Sequence, residues 1–144
     1  MPNRLRLNDS VTLLLWKLTS QTNRGMQEAL KPLGFHPREG AILASIGQLG
    51  PLSQRRLSQL LEIDRSTMVT SVDRLEELNL VEREACATDR RVALVTLTSR
   101  GEQALREAKR QLDDFESGLL SGLTKTEQAV LRETLRKVAT PEQT

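Results

Sequence analysis

Six polar residues between positions 64 and 75 have the types and spacing that suit hydrogen bonding to a nucleic acid. Two of them come first, and four then recur at i, i+3, i+4 and i+7 of a predicted helix: Arg65 and Ser66, followed by Thr67, Thr70, Ser71 and Arg74. A short hydroxyl lets a helix backbone approach a base edge, and arginine presents a planar fork of donors that matches guanine and phosphate. An ordinary solvated helix face is the alternative interpretation of this set.

Two short helices are predicted to position these side chains. Ser53 and Asp64 suit the N-caps of the first and second helix. Each helix has an apolar face for a core: Leu57, Leu60 and Leu61 in the first, and Met68, Val72 and Leu75 in the second. Two short helices joined by a tight turn form a helix-turn-helix.

Two short strands with a basic loop between them are predicted to follow the second helix. The strands cover Leu80–Glu84 and Val92–Leu97, and the loop carries Asp89, Arg90 and Arg91. A helix-turn-helix followed by such a hairpin forms a winged helix. The two arginines at its tip suit a phosphate or a narrow minor groove. Asp89 is placed to hold the Arg91 guanidinium by a charge-assisted hydrogen bond.

Helices are predicted on both sides of the winged helix. The first covers Asn8–Leu30, a second covers roughly 37–47 after a break at Gly34 and Pro37, and Ser99–Val138 is helical again. In this last part, apolar residues recur at alternating steps of three and four, and we call them the heptad seam: Leu105, Ala108, Leu112, Phe115 and Leu119. Spacing alone does not decide whether the heptad seam packs against a second copy of the chain or closes the core of one chain.

Composition and charge fit a single domain of a cytoplasmic protein. The chain has 144 residues, one cysteine and no apolar run near the ~18 residues of a membrane span. Its first residues lack the apolar stretch of a signal peptide. Between positions 41 and 100, eight basic residues balance eight acidic ones, and all eight basic residues are arginine. This bias favours contacts with phosphates and bases, although salt-bridged surface explains it equally well.

Residues 8–138 resemble the MarR (multiple antibiotic resistance regulator) family of bacterial transcription factors. Three motifs carry the resemblance: L-S-Q-x-x-L-S-x-x-L-x-I-D-R-S-T at 52–67, V-D-R-L-E-x-x-x-L-V-E-R at 72–83, and D-R-R-x-x-L-V-x-L-T-x-x-G at 89–101. The resemblance implies a mainly α-helical protein with a winged helix-turn-helix. It also implies a homodimer that presents one winged helix to each half of a DNA site.

The resemblance divides the chain by role within one domain spanning residues 1–144. The winged helix-turn-helix covers 51–98, and N- and C-terminal dimerisation helices cover 8–48 and 99–138. By position, the resemblance assigns contacts with double-stranded DNA. Major-groove contacts come from Arg65, Ser66, Thr67, Thr70, Ser71 and Arg74. Phosphate contacts come from Ser53, Gln54 and Arg90, and a minor-groove contact comes from Arg91 positioned by Asp89. Asp73 is expected to pair instead with Arg55, Arg56 or a wing arginine.

A transcriptional regulator is the function that this resemblance implies, and we expect a repressor that a small-molecule effector releases from a pseudo-palindromic operator. The alternative is a winged-helix protein-interaction module that does not bind DNA. No enzyme is expected, because the only histidine and the only cysteine lie in no catalytic motif. No cofactor and no metal are expected, since no cluster of Cys, His and carboxylate residues accompanies them.

Many members of the family sense phenolic or aromatic acids, so a small anionic or aromatic compound is the expected effector. Its candidate contacts are Trp16, Arg24, Phe35 and His36. Core packing is the competing interpretation for Trp16 and Phe35, a helix cap for His36, and a surface position for Arg24. Cys86 lies at the base of the predicted wing, where an inert side chain is favoured over a redox sensor.

Overall fold

The computed structural model describes residues 6–140 as a mainly helical chain with one small sheet. Its elements, in chain order, are α1 Val11–Leu30, a 3-10 turn Lys31–Leu33, α2 Pro37–Leu49, β1 Leu52–Ser53, α3 Gln54–Leu61, α4 Arg65–Glu77, β2 Val81–Ala85, β3 Ala93–Leu97, α5 Ser99–Leu119 and α6 Lys125–Ala139. The chain forms two compact units, the first ending at Leu112 and the second beginning at Asp113. No helix within the described range is long and apolar enough to cross a membrane.

Most helix boundaries follow from residues that cap or break helices, as the sequence predicts. Ser53 and Asp64 are the N-caps of α3 and α4, and each side chain accepts a backbone N–H of the first turn. Gly34 adopts φ +80°, the left-handed conformation that ends the 3-10 turn. Pro37 is the first residue of α2. Helix α1 begins later than predicted, because the side chain of Ser10 is its N-cap.

The sheet has three antiparallel strands in the order β1-β3-β2. Strands β2 and β3 form the predicted hairpin, in which Arg83 pairs with Val95. Strand β1 was not predicted; its Leu52 pairs with Val95 and its Ser53 with Leu94. Two residues are too few to show an alternating pattern, so periodicity cannot reveal this strand. Since β1 runs directly into α3, the pairing fixes the start of the helix-turn-helix to the wing.

The hydrophobic core lies in the first unit, between helices α2, α3 and α4 and the sheet. Its buried members are Leu30, Phe35, Ile42, Leu43, Ile46, Leu57, Met68, Val72, Leu75, Leu80, Val81, Val95 and Ala108. Part of the heptad seam joins this core, because Ala108 is buried and Leu105 and Leu112 pack against it. That part of the seam therefore stabilises a single chain.

Large apolar side chains remain exposed near both ends of the described chain, and we call these two sets the terminal apolar faces. On α1 they are Val11, Leu14, Leu15, Trp16 and Leu18. In the second unit they are Leu119, Leu123, Val130, Leu135 and Val138. Exposed apolar patches of this kind mark surfaces that bind a partner.

Helix α6 begins at the predicted capping box, in which the Thr124 N–H donates to Glu127 Oε2 at 2.8 Å and the Glu127 N–H donates to Thr124 Oγ1 at 3.2 Å.

Candidate nucleic-acid interface

The N-terminus of α4 is organised by the carboxylate of Asp64. Its oxygens accept the Thr67 hydroxyl at 2.6 Å, the Ser66 hydroxyl at 2.8 Å and the Thr67 N–H at 2.9 Å. These hydrogen bonds, led by that of the Thr67 hydroxyl, lower the pKa of Asp64 from 3.8 to about 2. Because both hydroxyl protons point at Asp64, Ser66 and Thr67 present their remaining lone pairs to the outside. This end of α4 therefore offers hydrogen-bond acceptors.

One side of α4 faces solvent between α2 and α3. Arg65, Ser66 and Thr70 lie exposed on it, and Thr67 is half-buried at its edge. The Thr70 hydroxyl donates to the Ser66 carbonyl at 3.1 Å, so Thr70 also presents an acceptor and a methyl group. The exposed face also carries Val69, which periodicity did not single out. The structure thus brings four of the six predicted α4 residues to one accessible surface.

Ser71 does not belong to this surface, and the prediction that it contacts DNA is wrong. Only 3% of the residue is exposed, and its hydroxyl accepts the Arg38 Nε–H at 3.1 Å. A stripe at i, i+3, i+4 and i+7 covers a wide arc of a helix, and here α2 covers one edge of that arc. Ser71 is thus part of the contact between α4 and α2.

Arg74 is also engaged by α2, although 56% of its side chain is exposed. Its terminal nitrogen donates to the Gly34 carbonyl at 2.8 Å, and its Nε lies 3.3 Å from Glu39 Oε1. Glu39 is buried, and its other oxygen accepts the His36 N–H at 2.8 Å. A buried carboxylate needs such partners, since an unpaired one is costly. The Arg74 guanidinium therefore ties α4 to the turn that precedes α2.

Ser53 and Gln54 lie at the start of α3, which packs against both α4 and α2. The Ser53 hydroxyl oxygen accepts the Arg56 N–H at 3.1 Å, which leaves the hydroxyl proton free to be donated. The Gln54 carbonyl oxygen accepts the Arg83 Nε–H at 2.9 Å, which leaves its amide N–H groups for another acceptor. An open groove of about 520 Å³ separates α3 from α4 and is lined in part by Gln54, Arg65 and Val69.

Arg83 on β2 is a positioning residue that sequence reasoning missed. Besides Gln54, its guanidinium contacts the carboxylates of Asp73, at 2.6 Å, and of Glu76. The expectation that Asp73 pairs with Arg55, Arg56 or a wing arginine is therefore wrong. One side chain links α3, α4 and the base of the wing. Asp73 and Glu76 lie three positions apart on α4, and no basic residue stands three or four positions from either of them, which was the available signal.

The wing carries the two predicted arginines at its tip. Arg90 is exposed, and the Arg91 side chain is 91% exposed. The expected contact with Asp89 is confirmed: Asp89 Oδ1 accepts the Arg91 backbone N–H at 3.0 Å and its Nε–H at 3.2 Å. Holding an exposed guanidinium in this way reduces the conformational freedom that it would lose on binding.

Cys86 lies at the base of the wing, as predicted. Its Sγ is 3.2 Å from the Thr88 hydroxyl, and this hydrogen bond lowers the pKa of the thiol. The backbone closes the loop beside it, since the Cys86 N–H donates to the Val92 carbonyl at 2.8 Å. These two hydrogen bonds tie Cys86 to both ends of the wing loop and stabilise the conformation of that loop.

The four candidate effector residues are not brought together. Phe35 and His36 border an open groove of about 470 Å³, together with Lys31 and Arg74 among others. Trp16 and Arg24 do not line that groove; Trp16 is 67% exposed on the terminal apolar face of α1, and Arg24 is exposed further along the same helix.

Three of the competing interpretations for these residues are met, and the surface position of Arg24 is one of them. Phe35 is buried in the core, with 4% of its surface exposed. His36 is the N-cap of α2, where its Nδ1 accepts the Arg38 N–H at 3.2 Å. Phe35 and His36 therefore each have a structural role whether or not the groove binds a ligand.

Comparison with known proteins agrees with this arrangement. The model of the MarR family matches residues 33–92. MarR from E. coli in its apo form is 26% identical with a TM-score of 0.80, covering 91% of this chain and 98% of that chain. CouR from Rhodococcus jostii RHA1 bound to p-coumaroyl-CoA is 27% identical with a TM-score of 0.85, covering 98% and 99%. A CouR structure bound to a 23-mer DNA duplex shares the fold, with a TM-score of 0.86 at 22% identity, covering 96% and 100%.

The matched structures extend over nearly the whole chain, and the family model covers the turn before α2, the helix-turn-helix and the wing tip. Within that segment lie the capped helix α4, strands β1 and β2 and the exposed wing arginines. Residues 33–92 thus match the MarR family, and the chain shares its fold with solved MarR-family transcriptional regulators.

Proposed function

We propose that this chain is a homodimeric, sequence-specific repressor that leaves a pseudo-palindromic operator when a small effector binds. One observation carries the DNA-binding part: within the first unit, an exposed α4 face accompanies an exposed wing arginine held by a carboxylate. Two copies related by a two-fold axis would read two half-sites whose centres lie about 10 bp apart.

Helix α4 enters the major groove and reads bases chiefly through acceptors. The hydroxyls of Ser66, Thr67 and Thr70 already donate within the protein, so their lone pairs suit the amino groups of adenine or cytosine. Arg65 adds a donor fork for guanine or phosphate. Arg74 is assigned to the orientation of α4, because its guanidinium is engaged by Gly34 and Glu39.

Contacts outside α4 position the protein on the duplex. Ser53 and Gln54 donate to phosphate, because their internal hydrogen bonds use only their acceptor oxygens and leave their O–H and N–H groups available. Arg90 binds the backbone, and Arg91 enters the minor groove in the orientation that Asp89 favours.

The terminal apolar faces form the interface between two copies. Val11 and Trp16 on α1 are 71% and 67% exposed, and Val138 on α6 is 67% exposed. Burying apolar area of this kind stabilises association by roughly 25 cal/mol per Å² before the entropic cost. The N- and C-terminal helices thus act as dimerisation helices beside a winged helix over residues 51–98.

The effector is a small anionic or aromatic compound, and the groove beside Phe35 and His36 is its proposed site. Lys31 supplies positive charge there, and CouR, a relative of 27% identity, was solved with p-coumaroyl-CoA. Because Arg74 borders the groove and also holds α4, an anion that attracts Arg74 would alter the orientation of the DNA-reading helix.

Fluorescence anisotropy of the full chain on a labelled duplex from upstream of its own gene tests this function. A scrambled duplex of equal length is the control. We expect a specificity ratio of at least ~10³, with affinity falling as salt rises. Addition of p-coumarate or p-coumaroyl-CoA then tests release. Equal weak binding to both duplexes, repeated on fragments from the neighbouring genes, would favour the protein-interaction module instead.

A further inference from the structure

We propose that Arg38, at the start of α2, is a further DNA-contacting residue that binds a phosphate beside α4. The proposal rests on the DNA-binding function above and adds a residue that lies outside the three sequence motifs. The exposed side of α4 that carries Arg65, Ser66 and Thr70 is called the reading face. At its edge, the buried side chain of Ser71 on α4 holds an arginine of α2.

The geometry places the Arg38 guanidinium beside the reading face. Its Nε donates to Ser71 Oγ at 3.1 Å. Val69, Thr70 and Ser71 follow one another at about 100° around α4. Val69 borders the groove shared with α3, Thr70 is exposed, and Ser71 faces α2. Arg38 therefore lies on the flank opposite α3, with the exposed face between them.

A helix in the major groove meets phosphates on both of its flanks. A helix with its side chains measures about 10–12 Å across, and the groove is about 12 Å wide. Residues at the start of α3, Ser53 and Gln54, serve one flank. The opposite flank needs a donor of its own, and Arg38 is a cation that the structure holds there.

Charge and exposure distinguish Arg38 from Arg74 on the same flank. Arg74 is paired with the buried carboxylate of Glu39. Arg38 is exposed, and across residues 6–140 its side chain makes one hydrogen bond, to neutral Ser71, and no salt bridge. Four N–H donors on its terminal nitrogens are then available, in the fork that suits a phosphate. Ser71 fixes the guanidinium without neutralising it.

Salt-dependent DNA binding by the full chain tests the proposal, using the wild-type operator duplex and four variants. Arg38→Gln removes the charge, whereas Arg38→Lys keeps it. Ser71→Ala removes the hydrogen bond that holds Arg38. Arg106→Gln removes one exposed positive charge on α5, away from the reading face, and serves as the matched control.

For Arg38→Gln we expect affinity about ten-fold lower, equally on operator and scrambled DNA. The slope of log K against log salt should become shallower by about 0.9 for each bound protomer. Arg38→Lys and Ser71→Ala should retain the wild-type slope, because both keep a cation at position 38. A merely structural role for Arg38 would leave the slope unchanged in Arg38→Gln as well, since the number of released counterions would stay the same. Neutral methylphosphonate at the contacted position should weaken the wild type and leave Arg38→Gln unaffected.

A wild-type slope in Arg38→Gln would overturn the proposal, and so would an equal loss of slope in Arg38→Lys or in Arg106→Gln. Failure of the proposed function gives a different result, since the wild-type chain itself would then not prefer the operator. The methylphosphonate scan on wild-type protein tests the contact even if a variant folds poorly.

Discussion

Gly101 lies in the first turn of α5, where the helix passes over the end of the turn between α4 and β2. A Cβ atom built on Gly101 falls 1.9 Å from the Leu80 carbonyl oxygen and 2.9 Å from its carbonyl carbon, whereas real Cβ contacts stay beyond 3.0 Å. Both are backbone atoms, so rotation of a side chain cannot relieve the clash. Gly101→Ala therefore requires α5 and the start of β2 to move apart.

This movement breaks hydrogen bonds that join the same two segments. The Leu80 carbonyl accepts the Thr98 N–H at 3.1 Å. The Thr98 hydroxyl donates to the Asn79 carbonyl at 2.6 Å and accepts the Gly101 N–H at 2.9 Å. Loss of a hydrogen bond and overpacking together cost about 2–4 kcal/mol. That is a large fraction of the roughly 5–15 kcal/mol that stabilises a typical domain.

Urea unfolding followed by circular dichroism measures the free-energy change, and in thermal unfolding we expect the melting temperature to fall by about 5–15 °C. Gly118→Ala is the matched control on the same helix. No atom lies within 4 Å of a Cβ built there, and alanine favours a helix, so stability should be unchanged or rise by up to ~1 kcal/mol. If Gly101→Ala unfolds within ~0.5 kcal/mol of the wild type, the close contact at Leu80 does not constrain this junction.

Three further predictions concern the wing, the cap of α4 and the terminal apolar faces. Arg91→Ala should weaken operator binding about ten-fold or more in an anisotropy assay, because it removes a charged contact, whereas Arg110→Ala on α5 should not; equal affinities would exclude the wing from binding. The folded-state pKa of Asp64 is about 2, below its ordinary 3.8, so its stabilisation is present above pH 3.8 and is lost as pH falls towards 2. The difference in urea midpoint between wild type and Asp64→Leu should therefore shrink over that range, and a constant difference would contradict it. Leu18→Lys should shift the sedimenting species from dimer to monomer, since it places a charge on the side of α1 that also carries Val11, Leu14 and Leu15, and an unchanged mass would exclude that face from the interface.

The sequence alone determined the elements whose causes are local. The caps at Ser53 and Asp64 and the break at Gly34 match their predicted positions, and the strands of the hairpin match theirs to within one residue. The Asp89–Arg91 contact belongs to the same class, because the two residues are two positions apart. Interactions of such short range depend on side-chain type and spacing, and both can be read from the chain.

Tertiary structure decided which polar side chains of α4 are available to contact a partner and which are bonded to neighbouring elements. Ser71 is bonded to Arg38, 33 positions away, and Arg74 to Gly34, 40 positions away. Arg83 joins Gln54 across 29 positions. Helical periodicity identifies a polar arc, but it contains no information about which neighbouring element covers the edge of that arc. The reading face of α4, and the exposed arginine at its flank, were therefore fixed only when α2, α3 and the wing packed around it.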